Sequence, residues 1–172
     1  MSVAAERPPQ APGGRPPRLA APQRKPGRLD DCGLSHLVGY AASRAALELR
    51  KVFTRHMDAY GLTTPQFSIL MLVADNGDVN QKQLGQALDI APPNMAVTLD
   101  RMAERGWIER VRSTRDRRAQ QIHLTAAGRA LAERTRKIAA TMEEPTLAAL
   151  SRAERALLIE LLRKIVPEAA SA

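Results

Sequence analysis

The run from Trp107 to Gly128, W-I-E-R-V-R-S-T-R-D-R-R-A-Q-Q-I-H-L-T-A-A-G, constrains this chain more than any other. It holds two short strand-like segments, a basic turn between them and an immediate helix start. Ile122 and Leu124 alternate with Gln121 and His123, the period of a strand with one buried face. This places His123 on the outward face, where a solvated histidine is the default. The turn from Ser113 to Arg118 sets Arg115, Arg117 and Arg118 around Asp116. Like charges crowded at a hairpin tip repel one another, so folding gives them little reason to gather. Phosphate oxygens on a partner do give one.

The charge of the chain is concentrated. The 172 residues carry a formal +8, which favours polyanionic partners. Residues 1–28 hold Arg7, Arg15, Arg18, Arg24, Lys25 and Arg28 against Glu6, a net +5. Residues 101–118 hold seven arginines against Glu104, Glu109 and Asp116, a net +4. The leading segment also has seven of the twelve prolines and cannot bury a core, so residues 1–30 are expected to be a disordered basic tail ahead of one domain over 31–172. Aromatic residues are few, which leaves Leu, Ile, Val, Met and Ala to build a helix-rich core. A single cysteine excludes an internal disulfide and fits a reducing compartment. With no apolar leader and no apolar run of membrane-spanning length, the expectation is a cytoplasmic, nucleoid-associated protein with no membrane partner.

Apolar spacing predicts a first helix over Leu34–Tyr60, about 40 Å long, ending at Gly61. A second helix is expected at Thr64-Pro65, with Thr64 as cap, ending before Asn76-Gly77. A third starts at Asn80, where Gln83 completes a capping box. The fourth starts at Ala91-Pro92-Pro93 and turns Met95, Leu99 and Met102 to one side. After the hairpin, a fifth follows Thr125 to about Thr141, and Pro145 breaks the chain. The sixth, Ser151 to Val166, has Ser151 and Glu154 as a capping box and is apolar nearly all round. Such a helix must be buried on several sides, most simply by a second subunit.

This order, α-α-α-α-β-β-α-α, reads as a winged helix-turn-helix over about 62–124 with a helical dimerisation hub over about 33–60 and 125–167. The local residues agree. The chain resembles the MarR (multiple antibiotic resistance regulator) family of bacterial transcription factors through D116-R117-R118 and L124-T125-x-x-G128, supported by L62-T63-x-P65-Q66-F67, L84-x-x-A87-L88 and D100-R101-M102-x-x-R105-G106-W107-I108. The resemblance covers roughly Leu34 to Val166. It implies a homodimer on double-stranded DNA, with Pro92–Arg105 as recognition helix in the major groove and Arg117 reaching the minor groove. It also implies a sequence-specific regulator, most simply a repressor that an effector releases from a pseudo-palindromic operator.

With Met95, Leu99 and Met102 packed, Pro93, Asn94, Ala96, Val97 and Arg101 face outward. Asn94 has the geometry to pair bidentately with adenine, or to cap its own helix; Val97 suits a thymine methyl. Relatives often carry Arg or Lys where Val97 stands and Ser or Thr where Ala96 stands, so this chain is poorer in polar readers. Gln81, Lys82, Gln83, Arg112 and Arg115 are candidate phosphate contacts. Asp116 and Asp100 are expected to hold the wing, Asp100 through Arg118.

The family often binds a small aromatic acid or phenol between hub and DNA-binding lobe. Here His36, Tyr40, Ser43 and Arg44, with Phe67, are the expected effector site, since His36, Tyr40 and Arg44 follow i, i+4 spacing. Set against this are hub hydrogen bonds across the dimer, an architectural DNA-binding role without effector, and a hydroperoxide-sensing branch of the family that uses a cysteine early in the first helix. His36 stands at that cysteine's position, and Cys32 lies one turn earlier beside Asp30 and Asp31, whose charge opposes thiolate formation. No enzyme, metal or cofactor is expected. Ser35 and His36 are adjacent and do not face each other on a helix, and neither a glycine-rich phosphate loop nor metal-ligand spacing occurs.

Overall fold

The computed structural model describes residues 33–112 and 120–166. The chain divides into a leading unit ending at His36 and a main unit from Leu37 onward, which carries the whole helix and strand framework.

Helix α1 spans Val38–Met57, about 30 Å. It starts four residues later than its apolar period suggests. Leu37 is extended and donates no side-chain cap, so nothing pulls the helix further back. A 3₁₀ turn, Asp58–Tyr60, then runs into Gly61, whose φ of 60° is left-handed and stops the helix as expected. Helix α2 is Thr64–Asn76. Its cap is Thr63, one residue before the predicted Thr64, because the reciprocating Gln66 stands three positions after Thr63. Thr63 Oγ1 accepts from the Gln66 amide at 3.4 Å, and Gln66 Oε1 accepts from the Thr63 amide at 3.0 Å.

A strand absent from the sequence reading follows: β1, Val79–Asn80. Two residues are too short to show a period, and the strand exists only through its distant partner. Asn80 then caps α3 (Gln81–Leu88) in a box with Gln83, both bonds 2.9 Å. Helix α4, Pro92–Glu104, buries Met95, Leu99 and Met102, as its spacing predicts. Strands β2 (Ile108–Arg112) and β3 (Gln120–Leu124) form the wing hairpin, with Ile108 opposite Leu124 and Arg112 opposite Gln120. β3 also pairs with β1, Val79 opposite Ile122, so the wing is a three-stranded antiparallel sheet in the order β1-β3-β2 rather than a lone hairpin.

Helix α5, Ala126–Ala139, is capped by Thr125 and ends two residues short of the expected Thr141. Turns carry the chain past Pro145 to α6, Arg152–Ile165. Its capping box is as read: Ser151 Oγ accepts from the Glu154 amide and Glu154 Oε2 from the Ser151 amide. The core gathers Met57, Ile69, Leu70, Leu84, Met95, Leu99, Met102 and Ile122 from α1–α4 and the sheet, with Leu131 and Ala132 from α5. α6 contributes nothing to it. Leu157, Leu158, Ile159, Leu161, Leu162 and Ile165 are all at least 41 % exposed. Among the described residues no helix is long and apolar enough to cross a membrane.

Candidate nucleic-acid interface

The α3–α4 pair is set by its buried side. Leu84 is 1 % exposed and Met95, Leu99 and Met102 are fully enclosed, so the opposite face of α4 has no freedom to turn inward. That face presents Pro93, Asn94, Val97 and Arg101 to solvent, with Ala96 half-buried beside them. Of the two readings of Asn94, the local cap is not made: α4 has no side-chain cap. Thr98 Oγ1 donates to the Asn94 backbone carbonyl at 2.8 Å, which leaves the Asn94 carboxamide without a hydrogen bond among the described residues. Lys82 is exposed on the first turn of α3. Two of the expected phosphate contacts also make internal hydrogen bonds. Gln83 spends its carboxamide oxygen on the α3 cap, and Gln81 Nε2 reaches the Pro92 carbonyl at 3.5 Å, a long bond that ties the starts of α3 and α4.

The wing is fastened at its root. Asp100 of α4 pairs with Arg110 of β2 at 2.7 Å. Arg110 escaped the sequence reading because strand alternation sorts apolar from polar residues, not one surface arginine from another. Arg118, the partner first expected, lies outside the described residues, as do Arg115, Asp116 and Arg117. Arg112, exposed, closes β2. Behind the root, Arg105 donates through Nη1 to the Gly61 carbonyl at 2.7 Å while its guanidinium lies 4.8 Å from the Trp107 ring centre. The end of α4 is thereby tied to the 3₁₀ turn that follows α1.

The start of α5 is locked to the same place. Thr125 donates its amide to the Trp107 carbonyl at 3.2 Å and its hydroxyl to the Gly106 carbonyl at 2.6 Å. Gly128 passes so close that a Cβ there would lie 1.8 Å from the Trp107 carbonyl oxygen. The L-T-x-x-G motif is thus a steric requirement: no side chain fits where α5 crosses the base of the wing.

The expected effector residues are less coherent. Tyr40 is half-buried, and Ser43 and Arg44 are exposed, all on α1. His36 is exposed and belongs to the leading unit. Phe67 packs edge-on against Phe53, ring centres 5.5 Å apart. Phe53 stands nine residues beyond Arg44, roughly 13 Å along the helix, so within one chain Phe67 does not join that stripe. Cys32 lies outside the described residues. His56 Nδ1 donates to the Val52 carbonyl at 2.9 Å, a local helix bond.

Comparison with known proteins accords with this geometry. A family model described as MarR family matches residues 60–119, from the end of α1 into the wing. The transcriptional repressor CouR bound to a 23-mer DNA duplex shares 36 % identity over 80 % of this chain and 98 % of its own, with a TM-score of 0.75. CouR bound to p-coumaroyl-CoA gives 34 %, 82 %, 99 % and 0.73. BpsR of Bordetella bronchiseptica, whose DNA binding is regulated by 6-hydroxynicotinic acid, is 28 % identical over 77 % of this chain and 94 % of its own, with a TM-score of 0.71. The transcriptional regulator HosA of Escherichia coli O157:H7 is 29 % identical over 129 residues, 72 % of this chain and 96 % of its own. A helix α4 with one buried and one exposed face and a wing tied at its root thus stand in a chain matched along nearly the full length of these regulators: the protein belongs to the MarR family and is a DNA-binding transcriptional regulator.

Proposed function

We propose that this protein is a homodimeric repressor that holds a pseudo-palindromic operator and leaves it when a small aromatic acid or phenol, or the coenzyme A thioester of such an acid, binds. The observation that carries the DNA reading is the two-sided α4. Met95, Leu99 and Met102 are fully enclosed, while Asn94, Val97 and Arg101 stand free on the other side. Asn94 reads adenine, Val97 touches a thymine methyl and Arg101 reaches the backbone or a base further along. Lys82 and Arg112 supply phosphate contacts, with Arg115 and Arg117 of the wing tip extending them toward the minor groove. Pro93 and Ala96 let the helix approach closely. The twofold axis puts half-site centres about 10 bp apart. The effector reading is supported by the relatives bound to, or regulated by, p-coumaroyl-CoA and 6-hydroxynicotinic acid.

The test is binding of the purified protein to its own promoter DNA against random competitor, with and without p-coumarate, p-coumaroyl-CoA and 6-hydroxynicotinic acid. Asn94→Ala is expected to weaken the specific complex by about 1–3 kcal/mol and to leave binding to competitor unchanged. Equal loss on both DNAs contradicts a reading role for Asn94. A specific complex that no aromatic compound weakens contradicts the effector part.

A further inference from the structure

Helix α4 is held down by Met95, Leu99 and Met102. Apolar burial is non-directional, so it keeps a helix in place while fixing its tilt only loosely. Directional contacts must do the rest. Near the start of α4, Gln81 Nε2 reaches the Pro92 carbonyl at 3.5 Å, beyond the range of a strong hydrogen bond. In its middle, Asp100 meets Arg110 at 2.7 Å, a link to the wing. Just past its end, Arg105 donates to the Gly61 carbonyl at 2.7 Å. Among the described residues this is the one side-chain hydrogen bond that joins α4 or its cap to the turn closing α1.

Both ends of that contact are fixed. The Arg105 guanidinium also lies 4.8 Å from the Trp107 ring centre, so a planar group is held from two sides. The Trp107 amide donates to the Met102 carbonyl at 3.0 Å, and its carbonyl accepts from the Thr125 amide at 3.2 Å. Gly61 is left-handed, and its amide donates to the Asp58 carbonyl at 2.8 Å. A Cβ at Gly61 would stand 3.0 Å from Arg105 Nη1, so the glycine also makes room for the guanidinium.

We propose that Arg105 is a positioning residue that sets the tilt of α4 against α1 and thereby the half-site spacing the dimer accepts. The inference rests on the dimeric, DNA-reading function above and names the side chain that sets its geometry. Bases are reached from the N-terminal end of a recognition helix, so a residue at the other end acts on placement rather than on readout. Asn94 stands eleven positions before Arg105, about 16 Å along the axis. A tilt of roughly 10° about the Arg105 end moves Asn94 by about 3 Å, close to the rise of one base pair. The twofold axis repeats that displacement in the second subunit.

The full-length protein selects its operator from a pool of random duplexes, and the selected site is remade with one base pair added or removed at its centre. Binding of wild type, Arg105→Ala and Arg105→Lys is measured on the three duplexes and on an isolated half-site. Wild type should bind the selected spacing at least about tenfold more tightly than either altered one. Arg105→Ala should bring that ratio within about threefold while leaving the isolated half-site within about twofold. Arg105→Lys keeps a charged donor for the Gly61 carbonyl and should hold the ratio above about fivefold. A lysine ratio as relaxed as that of alanine overturns the Gly61 bond as the setting contact. Equal loss by Arg105→Ala on all four duplexes means lost stability rather than lost geometry, and overturns the proposal while leaving the dimeric reading in place. So does an alanine variant that keeps the wild-type ratio. A wild type indifferent to spacing overturns the proposal outright, and a selected site without a twofold repeat overturns it together with the dimeric reading.

Discussion

Gly128 and Arg105 show how much of this fold hangs on single residues at the base of the wing. Gly128→Ala drives a methyl into the Trp107 carbonyl, which is backbone and cannot swing aside. The expected cost is about 3 kcal/mol or more, read as a lowered denaturant midpoint; a loss under about 1 kcal/mol would mean that α5 does not cross the wing root as described. Arg105→Ala gives up the bond to the Gly61 carbonyl and the stacking on Trp107. It is exposed, so about 1 kcal/mol is expected in the same assay. At this scale the sequence was only partly legible. The glycine was visible as a motif letter, but its reason was not, because the atom it avoids is a backbone oxygen 21 positions earlier in the chain. The outward face of α4 was readable from Met95, Leu99 and Met102 alone, since helical spacing assigns both faces at once. The partner of Asp100 and the neighbour of Phe67 were not, because side-chain pairs across elements leave no local pattern.

Elements were readable to within a residue where their ends carry capping chemistry, the α2 cap falling on Thr63 beside the expected Thr64. Asn80 with Gln83, Ser151 with Glu154 and the left-handed Gly61 all fall where capping rules put them. α1, whose start has no cap, begins four residues inside its apolar period, and β1 has no sequence signature because two residues express no period. The α6 cap has a pH signature. The Ser151 backbone amide and then its hydroxyl hold the Glu154 carboxyl below the usual glutamate range. A carboxyl depressed in the folded state stabilises α6 fully above its unfolded value. That contribution fades as pH falls through the lowered folded value. Helicity lost on acidification below about pH 4.5 should therefore be reduced in Glu154→Gln, which keeps an acceptor but cannot titrate. Circular dichroism over pH 2–6 on both proteins checks this; identical acid profiles would remove Glu154 from the account. Ser151→Ala should cost about 1 kcal/mol at neutral pH.

The whole molecule is legible in outline and unfinished as one chain. α6 is amphipathic rather than apolar all round, yet its broad apolar face, Leu157 to Ile165, is exposed in the single chain and is left for a second subunit to bury. Leu158→Asp with Leu162→Asp should yield a monomer by sedimentation and a loss of specific DNA binding of at least about a hundredfold, because one half-site is then read alone. A dimer that survives both charges would place the interface elsewhere. On DNA, Lys82→Ala should weaken binding alike on all sequences and lower the salt slope by about one. The pairing of Val79 with Ile122 carries one more consequence, in time rather than space. β1 precedes the entire helix-turn-helix and β3 follows it, so the sheet closes only after α3 and α4 have been threaded between its strands. Closing so long a loop is entropically slow, whereas the α3–α4 contacts are local. A nascent chain released before β3 would thus hold the reading helices without the strand that fixes their wing, and refolding should show the helical signal ahead of Trp107 burial.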